Sequence, residues 1–294
     1  MNDVPDTNKL DLREAIGRRY SADDLQVEEG WIKDYALATN DPNPRYLEGE
    51  IVAPPIFPVR LYRDVMFKAI GDPEIGLDML RLVHGEQDMT WHGPIRPGDV
   101  VSLQAVIETV AQKSKGCVVA IRKLAIVEGE TRVEARMSVF VRGQELPGME
   151  PGQVFGEVPA TGGAPEGEPM ATAVETVAMD QPKRYAAASL DVNPIHMDEA
   201  VAKKAGLPSV ILHGLCSMAF ACTGVVDELL GGDSSRLHRF AVRFSRPVLP
   251  GWVLTTKMWD AGTTADGRQA YQVQTFNQDG VKVITSGWAE VDSK

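Results

Sequence analysis

The chain has few cysteines, few aromatic residues and no long apolar run. Its 294 residues include three cysteines, Cys117, Cys216 and Cys222, and aromatic side chains make up 6%. An odd cysteine count without metal-ligand spacing argues against a disulfide framework and gives no sign of a zinc site. No apolar stretch reaches the about 20 residues that a membrane-spanning helix needs, and residues 1–19 lack the apolar segment of a signal peptide. These absences predict a cytoplasmic, reducing environment and no membrane partner.

Basic residues are also in the minority. Lys and Arg number 30 against 41 Asp and Glu, which gives a net charge of −11. No block of like charge indicates a nucleic-acid-binding tail, so nucleic acid is not expected as a partner. The length of 294 residues accommodates two domains of ordinary size.

One short stretch carries groups suited to acid–base chemistry. Residues 189–196 contain Asp191, Asn193, Pro194 and His196. Pro194 suits the first position of a helix and Asn193 the cap, so residues 194–205 are predicted to form one helix behind a loop that carries Asp191. Histidine exchanges a proton near neutral pH more readily than other side chains. The same residues also make an ordinary helix start, and the segment alone leaves both interpretations open.

A second feature follows after 17 residues (213 − 196), where His213 and Gly214 precede an apolar run over residues 215–226. The run is long enough for a buried central helix, in which Cys216 and Cys222 are core residues. A glycine at its start admits a ligand close to the backbone, and the free N–H groups there can hold a developing oxyanion. For His213 we favour a residue that hydrogen-bonds locally.

Residues 185–217 resemble the hydratase 2 motif of the MaoC-like (R)-specific enoyl-CoA hydratases. The family pattern is an aromatic residue, Ser-x-Asp-x-Asn-Pro-x-His, an alanine and a His-Gly pair. In this chain the pattern corresponds to Tyr185, Ser189, Asp191, Asn193, Pro194, His196, Ala200, His213 and Gly214. Residues 242–251 are also similar to the hydratase unit of peroxisomal multifunctional enzymes. Leu190 stands where many members have glycine. The resemblance covers the C-terminal half and is fainter in the N-terminal half.

The resemblance implies an α+β double hot-dog fold, in which each unit is a central helix wrapped by a curved antiparallel sheet. It implies a hydro-lyase that reversibly hydrates a 2-enoyl thioester to an (R)-3-hydroxyacyl thioester. Asp191 would activate water, His196 would position that water and share in proton transfer, and the Gly214 amide would polarise the thioester carbonyl. Asn193 and Ser189 would orient the loop. No metal or other cofactor is expected.

The two halves repeat each other at a spacing of about 150 residues, a length typical of one domain. Residues 35–44 correspond to 185–194, and each half continues with alternating segments that predict strands. The predicted strands are residues 100–110, 117–127 and 131–142, and then 252–259, 268–277 and 281–291. We therefore predict a degenerate unit over residues 1–145, a Gly- and Pro-rich linker over 146–169, and a catalytic unit over 170–294.

The halves differ in chemistry. The first has Tyr46 where the second has His196, and residues 53–55 are Ala-Pro-Pro where the second half has Leu212-His213-Gly214. Asp41 is therefore interpreted as a helix cap, and one active site per chain is expected. The first half is predicted to line the acyl pocket. The candidate pocket residues are Tyr185, His213, Phe57 and Tyr62, whereas residues 84–87, placed before a strand, are given a structural role.

Two other functions stay open on the sequence. Hot-dog proteins also include acyl-CoA thioesterases and non-catalytic thioester-binding subunits of complexes. The expected partner is an acyl-CoA or acyl-carrier thioester, and a homodimer is possible. The sequence does not fix the acyl group, the carrier, the direction of reaction or the pathway. Lys203, Lys204 and Arg246 are weak candidates for coenzyme A contacts, since solvated lysines are common on helix surfaces.

Overall fold

The computed structural model describes residues 11–146, 148–156 and 165–292. Eleven strands in this part of the chain form one antiparallel sheet with the order β1-β3-β4-β5-β2-β8-β11-β10-β9-β7, and β6 pairs with β3. The strands are β1 Arg19–Gln26, β2 Leu82–Trp91, β3 Val100–Lys113, β4 Gly116–Val127, β5 Glu130–Arg142, β6 Val154–Phe155, β7 Ala171–Thr176, β8 Leu237–Phe244, β9 Val253–Thr263, β10 Gln269–Phe276 and β11 Lys282–Val291.

Seven α-helices accompany the sheet in the described residues. They are α1 Glu29–Ala38, α2 Pro44–Leu47, α3 Pro58–Leu61, α4 Arg63–Ile70, α5 Gln181–Ser189, α6 Glu199–Lys204 and α7 Gly214–Leu230. No helix among these residues is long and apolar enough to cross a membrane.

The strand order is the same in both halves. β1-β3-β4-β5-β2 in the first half corresponds to β7-β9-β10-β11-β8 in the second, and β2 pairs with β8 to join them. At this seam Arg239 donates to both carboxylate oxygens of Asp88, at 3.0 and 2.7 Å, and to Glu290 at 3.0 Å. Charge-assisted hydrogen bonds of this kind are stronger than neutral ones, so they help to fix the register of the two halves.

Apolar and polar residues alternate along the strands. Because successive side chains of a strand point to opposite faces of the sheet, the apolar ones gather on one face and form the core. In β5 the buried residues are Val133, Ala135, Met137, Val139 and Val141, and the residues between them are partly exposed. All six strands predicted from alternation are present. Their ends differ by up to four residues, since β9 continues to Thr263 rather than ending at Trp259.

The central helices differ between the halves. α7 has 17 residues and packs against β7, β8, β9 and β11. In the first half the same place is taken by α3 and α4, of 4 and 8 residues, and α4 packs mainly against β1 and β3. Among the described residues, the helices at the central position of the first half are therefore shorter than α7.

Two predicted boundaries were wrong. Residues 194–205 do not form one helix: a 3₁₀ turn over Pro194–His196 is followed by α6, because the Asp198 side chain accepts the N–H groups of Ala200 and Val201 and starts a new helix. Strand β6 lies within the predicted linker 146–169 and pairs with β3, and the domain bounds stay a prediction. Residues 84–87 lie within β2 rather than before it. Residues 1–10 and 157–164, on which the signal-peptide and linker predictions partly rest, lie outside the described residues.

Candidate active site

The loop that carries Asp191 leaves α5 through a left-handed residue. Leu190 has φ 64°, a conformation that costs a non-glycine residue about 1–2 kcal/mol. Side chains from the first half hold this turn in place. Arg60 donates to the carbonyl of Ala188 at 2.6 Å, and Arg63 donates to that of Leu190 at 3.2 Å. The strained turn directs the following residues toward the start of α7.

Local hydrogen bonds then fix the loop. The Asp191 N–H donates to Ser189 Oγ at 3.2 Å, and the Asn193 N–H donates to Asp191 Oδ1 at 3.2 Å. The Asn193 side chain accepts the N–H of Ile195 at 3.3 Å, as a helix cap does. One carboxylate oxygen of Asp191 thus orients the loop. The other accepts no hydrogen bond within the described residues, and Asp191 is partly exposed.

His196 is buried and bound through one ring nitrogen. Its Nδ1–H donates to the carbonyl of Ile211 at 2.8 Å, which leaves Nε2 as a bare acceptor in the neutral ring. Burial lowers the pKa of His196, against the opposing effects of the Ile211 carbonyl and the Asp191 charge. The imidazole is therefore neutral near pH 7 and can accept a proton at Nε2.

His213 contacts both His196 and the loop that carries Asp191. Its ring stacks on that of His196, with centroids 3.7 Å apart and an angle of 25°. Its Nε2–H donates to the backbone carbonyl of Asp191 at 2.9 Å, which is the local hydrogen bond that we expected of it. Burial and the neighbouring His196 lower the pKa of His213 to about 4. A neutral His213 therefore ties the acid-bearing loop to the start of α7.

Gly214 is the first residue of α7, so its N–H has no acceptor within the helix. A Cβ at this position would lie 3.2 Å from the ring of Phe244, so a side chain does not fit without movement of that ring. Gly214, Phe244 and His84 are each partly exposed. Solvent therefore reaches all three residues in part.

Side-chain ligand atoms of Asp191, His196 and His213 all lie within 4.8 Å of one another. A metal ion would lie in the plane of each imidazole, about 2 Å from its nitrogen. Because the two rings are stacked, their lone pairs occupy separate, nearly parallel planes and do not meet at one point. The geometry is better suited to a water molecule held by Asp191 and His196, and the absence of a metal remains a prediction.

The other predicted pocket residues form an aromatic series that leads into the first half. Tyr185 lies 4.9 Å from His213 between ring centroids, and its hydroxyl lies 3.1 Å from that of Tyr35. Phe57 contacts Tyr35 edge-on at 5.7 Å. Tyr62 donates its hydroxyl to the carbonyl of Val133 at 2.8 Å. Tyr185, Phe57 and Tyr62 are fully buried, and their role in an acyl pocket stays a prediction.

The corresponding loop of the first half carries Asp41, whose carboxylate oxygens are both hydrogen-bonded. Asp41 accepts the N–H of Asn43 at 3.1 Å and the hydroxyl of Thr223 at 3.0 Å, so both carboxylate oxygens are occupied. Burial raises the pKa of Asp41 to about 6. A cavity of about 470 Å³ adjoins this loop and residues 231–233, but Tyr46 stands in place of the imidazole and no histidine lines it.

Sequence reasoning did not identify the contributions of Arg60, Arg63 and His84. Both arginines contact the end of α5 and the turn after it only because the first half packs there. His84 lies 5.1 Å from Phe244 between ring centroids. No pattern along the chain indicates these contacts, since the partners are more than 100 residues apart.

Comparison with known proteins identifies the family of this chain. A family model described as a MaoC like domain matches residues 160–281, and one described as FAS1-like, dehydratase domain region, matches residues 14–135. The chain is 31% identical to 3-hydroxyacyl-thioester dehydratase Y of Mycobacterium tuberculosis, with 68% of each chain covered. It is 29% identical to a probable enoyl-CoA hydratase 2 of Dictyostelium discoideum, over 81% of this chain and 78% of that protein. The chain belongs to the MaoC-like dehydratase family.

Solved structures show that this MaoC-like chain has the family fold. A MaoC-like dehydratase from Phytophthora capsici superposes with a TM-score of 0.84 at 22% identity and covers 97% of this chain and 98% of its own. A Mycobacterium tuberculosis protein described as a double hot-dog superposes with a TM-score of 0.61 at 13% identity, over 96% and 98% of the two chains. The predicted α+β double hot-dog is confirmed.

Proposed function

We propose that this chain catalyses the reversible hydration of a 2-enoyl thioester to an (R)-3-hydroxyacyl thioester. The observation that supports the proposal is the grouping of the Asp191, His196 and His213 side chains within 4.8 Å of one another, next to the first residue of α7, Gly214. In the proposal Asp191 supplies a free carboxylate oxygen, His196 a bare imidazole nitrogen and Gly214 a helix-initial amide. The relatives named as enoyl-CoA hydratase 2 and 3-hydroxyacyl-thioester dehydratase support the same reaction.

Each group has a separate role in the proposed mechanism. The Gly214 N–H donates a hydrogen bond to the thioester oxygen and stabilises the negative charge that develops there as water attacks the β-carbon. Asp191 takes one proton from that water, and His196 Nε2 accepts a hydrogen bond from the other and holds the water in line. The proton on Asp191 is then delivered to the α-carbon from the same side, with His196 assisting, so that H and OH add across the double bond and Asp191 returns to its ionised form. Dehydration runs through the same steps in reverse, and acid–base chemistry of this kind needs no redox cofactor.

The two halves have different roles in this proposal. Residues 170–294 supply the catalytic groups, and residues 1–145 line the acyl pocket and hold the catalytic loop through Arg60 and Arg63. The thioester carrier is coenzyme A or an acyl carrier protein. Three buried, unpaired cysteines are compatible with a reducing, cytoplasmic setting. A homodimer remains a prediction.

The test is loss of enoyl-CoA absorbance with purified protein, with product chirality resolved. Asp191→Asn and His196→Gln are each expected to lower kcat by about 10²–10⁴-fold with unchanged circular dichroism. Asp41→Asn is the matched control, because it makes the same exchange in the loop of the first half and is expected to keep full activity. Undiminished hydration by Asp191→Asn would reject the assignment. Release of free thiol from acyl-CoA without hydration would instead identify a thioesterase, and no activity from the isolated chain would favour a binding subunit.

A further inference from the structure

A lysine lies inside the first half without a charged partner. Lys123 on β4 is 2% exposed, and its Nζ lies 5.2 Å from the centroid of the Tyr62 ring. Within the described residues, its one hydrogen-bonding contact is the sulfur of Met137 at 3.9 Å. No carboxylate lies within ion-pairing distance of it in the same set. A sulfur is a weak acceptor, so the ammonium group is essentially unsatisfied.

Burial of the Lys123 ammonium group without a partner has a free-energy cost in the absence of a ligand. Moving an ammonium group out of water without a partner strongly disfavours its charged form. Burial accordingly lowers the pKa of Lys123 to about 7, with no nearby charge acting against it. An arriving anion would restore the charged form by supplying the missing partner.

The second half shows that the fold itself does not need this lysine. In the first half Lys123 pairs with Ala105 on β3, and the register places Val273 at the same position of the second half, paired with Met258 on β9. Val273 is fully buried in an apolar environment. The buried lysine therefore occurs only at the first-half member of this pair of equivalent positions. That half is the one proposed to hold the acyl chain.

A second polar side chain on the same inner face is only partly satisfied. Gln87 on β2 is fully buried; its Nε2 donates to the carbonyl of Asp88 at 3.3 Å, and its Oε1 has no hydrogen-bond partner within the described residues. Gln87 pairs directly with Met137, the residue that Lys123 Nζ contacts, so both polar groups adjoin one methionine. Rotation of the terminal amide presents either its oxygen or its N–H₂ group at this point.

This polar cluster is connected to the proposed active site. His84 lies on the same inner face of β2, and its ring is influenced by the charges of both Lys123 and Asp191. On its other side His84 contacts Phe244, whose ring adjoins Gly214. Tyr62, between α3 and α4, packs on the inner surface of β4 and β5 beside Lys123 and the carbonyl of Val133.

We propose that Lys123, assisted by Gln87, binds a carboxylate at the distal end of the acyl chain. The preferred substrate class is then a 2-enoyl thioester that carries a second, anionic group remote from the thioester. This inference rests on the proposed hydration, since the acyl chain must run from Gly214 past His84 to reach Lys123.

The experiment compares pairs of 2-enoyl-CoA substrates of equal length that end in a methyl group or in a carboxylate, over short, medium and long chains. Hydration by the wild-type protein gives kcat/KM for each. At the length that reaches Lys123, the carboxylate-ended substrate is expected to be preferred by about 10-fold or more, since a charge-assisted hydrogen bond contributes roughly 1.5–3 kcal/mol.

Lys123→Met removes the ammonium group and keeps the length of the side chain. It is expected to abolish the preference while hydration of the methyl-ended substrates stays the same or improves. Lys113→Met is the control, because Lys113 is exposed at the end of β3 and is expected to retain the wild-type preference. Removal of an unpaired buried ammonium is expected to leave thermal unfolding unchanged or raised.

The outcomes separate the two proposals. Hydration of both substrate types with no preference at any length, or an equal preference in Lys123→Met, overturns the role of Lys123 and leaves the hydratase assignment standing. No hydration of any enoyl thioester overturns the proposed function first. The wild-type preference alone decides the question if Lys123→Met does not fold.

Discussion

Gly214→Ala tests whether the first amide of α7 is the group that binds the thioester oxygen. The added methyl group would lie 3.2–3.3 Å from three carbon atoms of the Phe244 ring, whereas carbon atoms normally pack at about 3.5–4.0 Å. The ring must therefore move by a few tenths of an ångström. Phe244 in turn contacts His84 across the seam between the halves, which limits that movement.

The contact between the added methyl group and Phe244 sets the expected losses of stability and of kcat. Overpacking costs about 1–3 kcal/mol, and the better helix propensity of alanine offsets up to about 1 kcal/mol. We expect a net loss of about 1–2 kcal/mol in the free energy of unfolding. Displacement of the amide is expected to lower kcat between about 10-fold and about 10²-fold, because transition-state donors act only at the correct position.

Denaturant unfolding and the enoyl-CoA absorbance assay measure the two effects. Gly30→Ala is the control: Gly30 lies in α1 with nothing within 4 Å of an added Cβ, so it is expected to gain about 0.5–1 kcal/mol of stability without a change in kcat. Wild-type kcat and stability in Gly214→Ala would show that the amide is neither confined by Phe244 nor used in the reaction.

Two further predictions concern the histidines and the loop. Burial lowers the pKa of His213 from 6.5 to about 4 and that of His84 from 6.5 to about 3. As pH falls, the unfolded chain therefore binds a proton at each histidine at a higher pH than the folded protein does. We expect stability to be fully present above pH 6.5 and to decline toward pH 4 by roughly 1 kcal/mol per pH unit for each histidine. Denaturant unfolding against pH checks this, and a slope equal to that of wild type in His213→Gln would contradict it. Arg60→Met removes the donor to the Ala188 carbonyl and is expected to lower kcat by about 10-fold with little change in KM; Arg60→Lys should recover part of the rate, and an unchanged kcat in steady-state assays would exclude a positioning role.

The sequence predicted the strands well because each has one buried face. Apolar and polar side chains alternate over residues 132–142 except at Phe140, and burial in β5 alternates from Arg132 to Val141. The site motif was visible because Asp191, Asn193 and His196 lie in one short segment whose hydrogen bonds are local. Local physics was sufficient for the strand, whereas the roles of Asp191 and His196 came from the family resemblance and stay a prediction.

Properties that depend on the packing of one half against the other were not predictable in this way. The helix over residues 194–205 was expected from composition, but Asp198 competes with it by capping a new helix. Lys123 lies in a segment that was predicted as a strand from its alternation, and only the fold shows that it faces inward without a partner. Arg60 contacts a loop 128 residues away.

The pairing of β2 with β8 places both halves in a single polypeptide. In an assembly of identical subunits, every mutation is inherited by all copies, so a site can gain a new binding residue only if the partner tolerates it too. Here a lysine stands in the first half where the second half has a valine, at equivalent positions of one sheet. A single polypeptide thus allows the halves to differ residue by residue, and chimeras that exchange only the first half between relatives are expected to transfer acyl preference independently of the reaction.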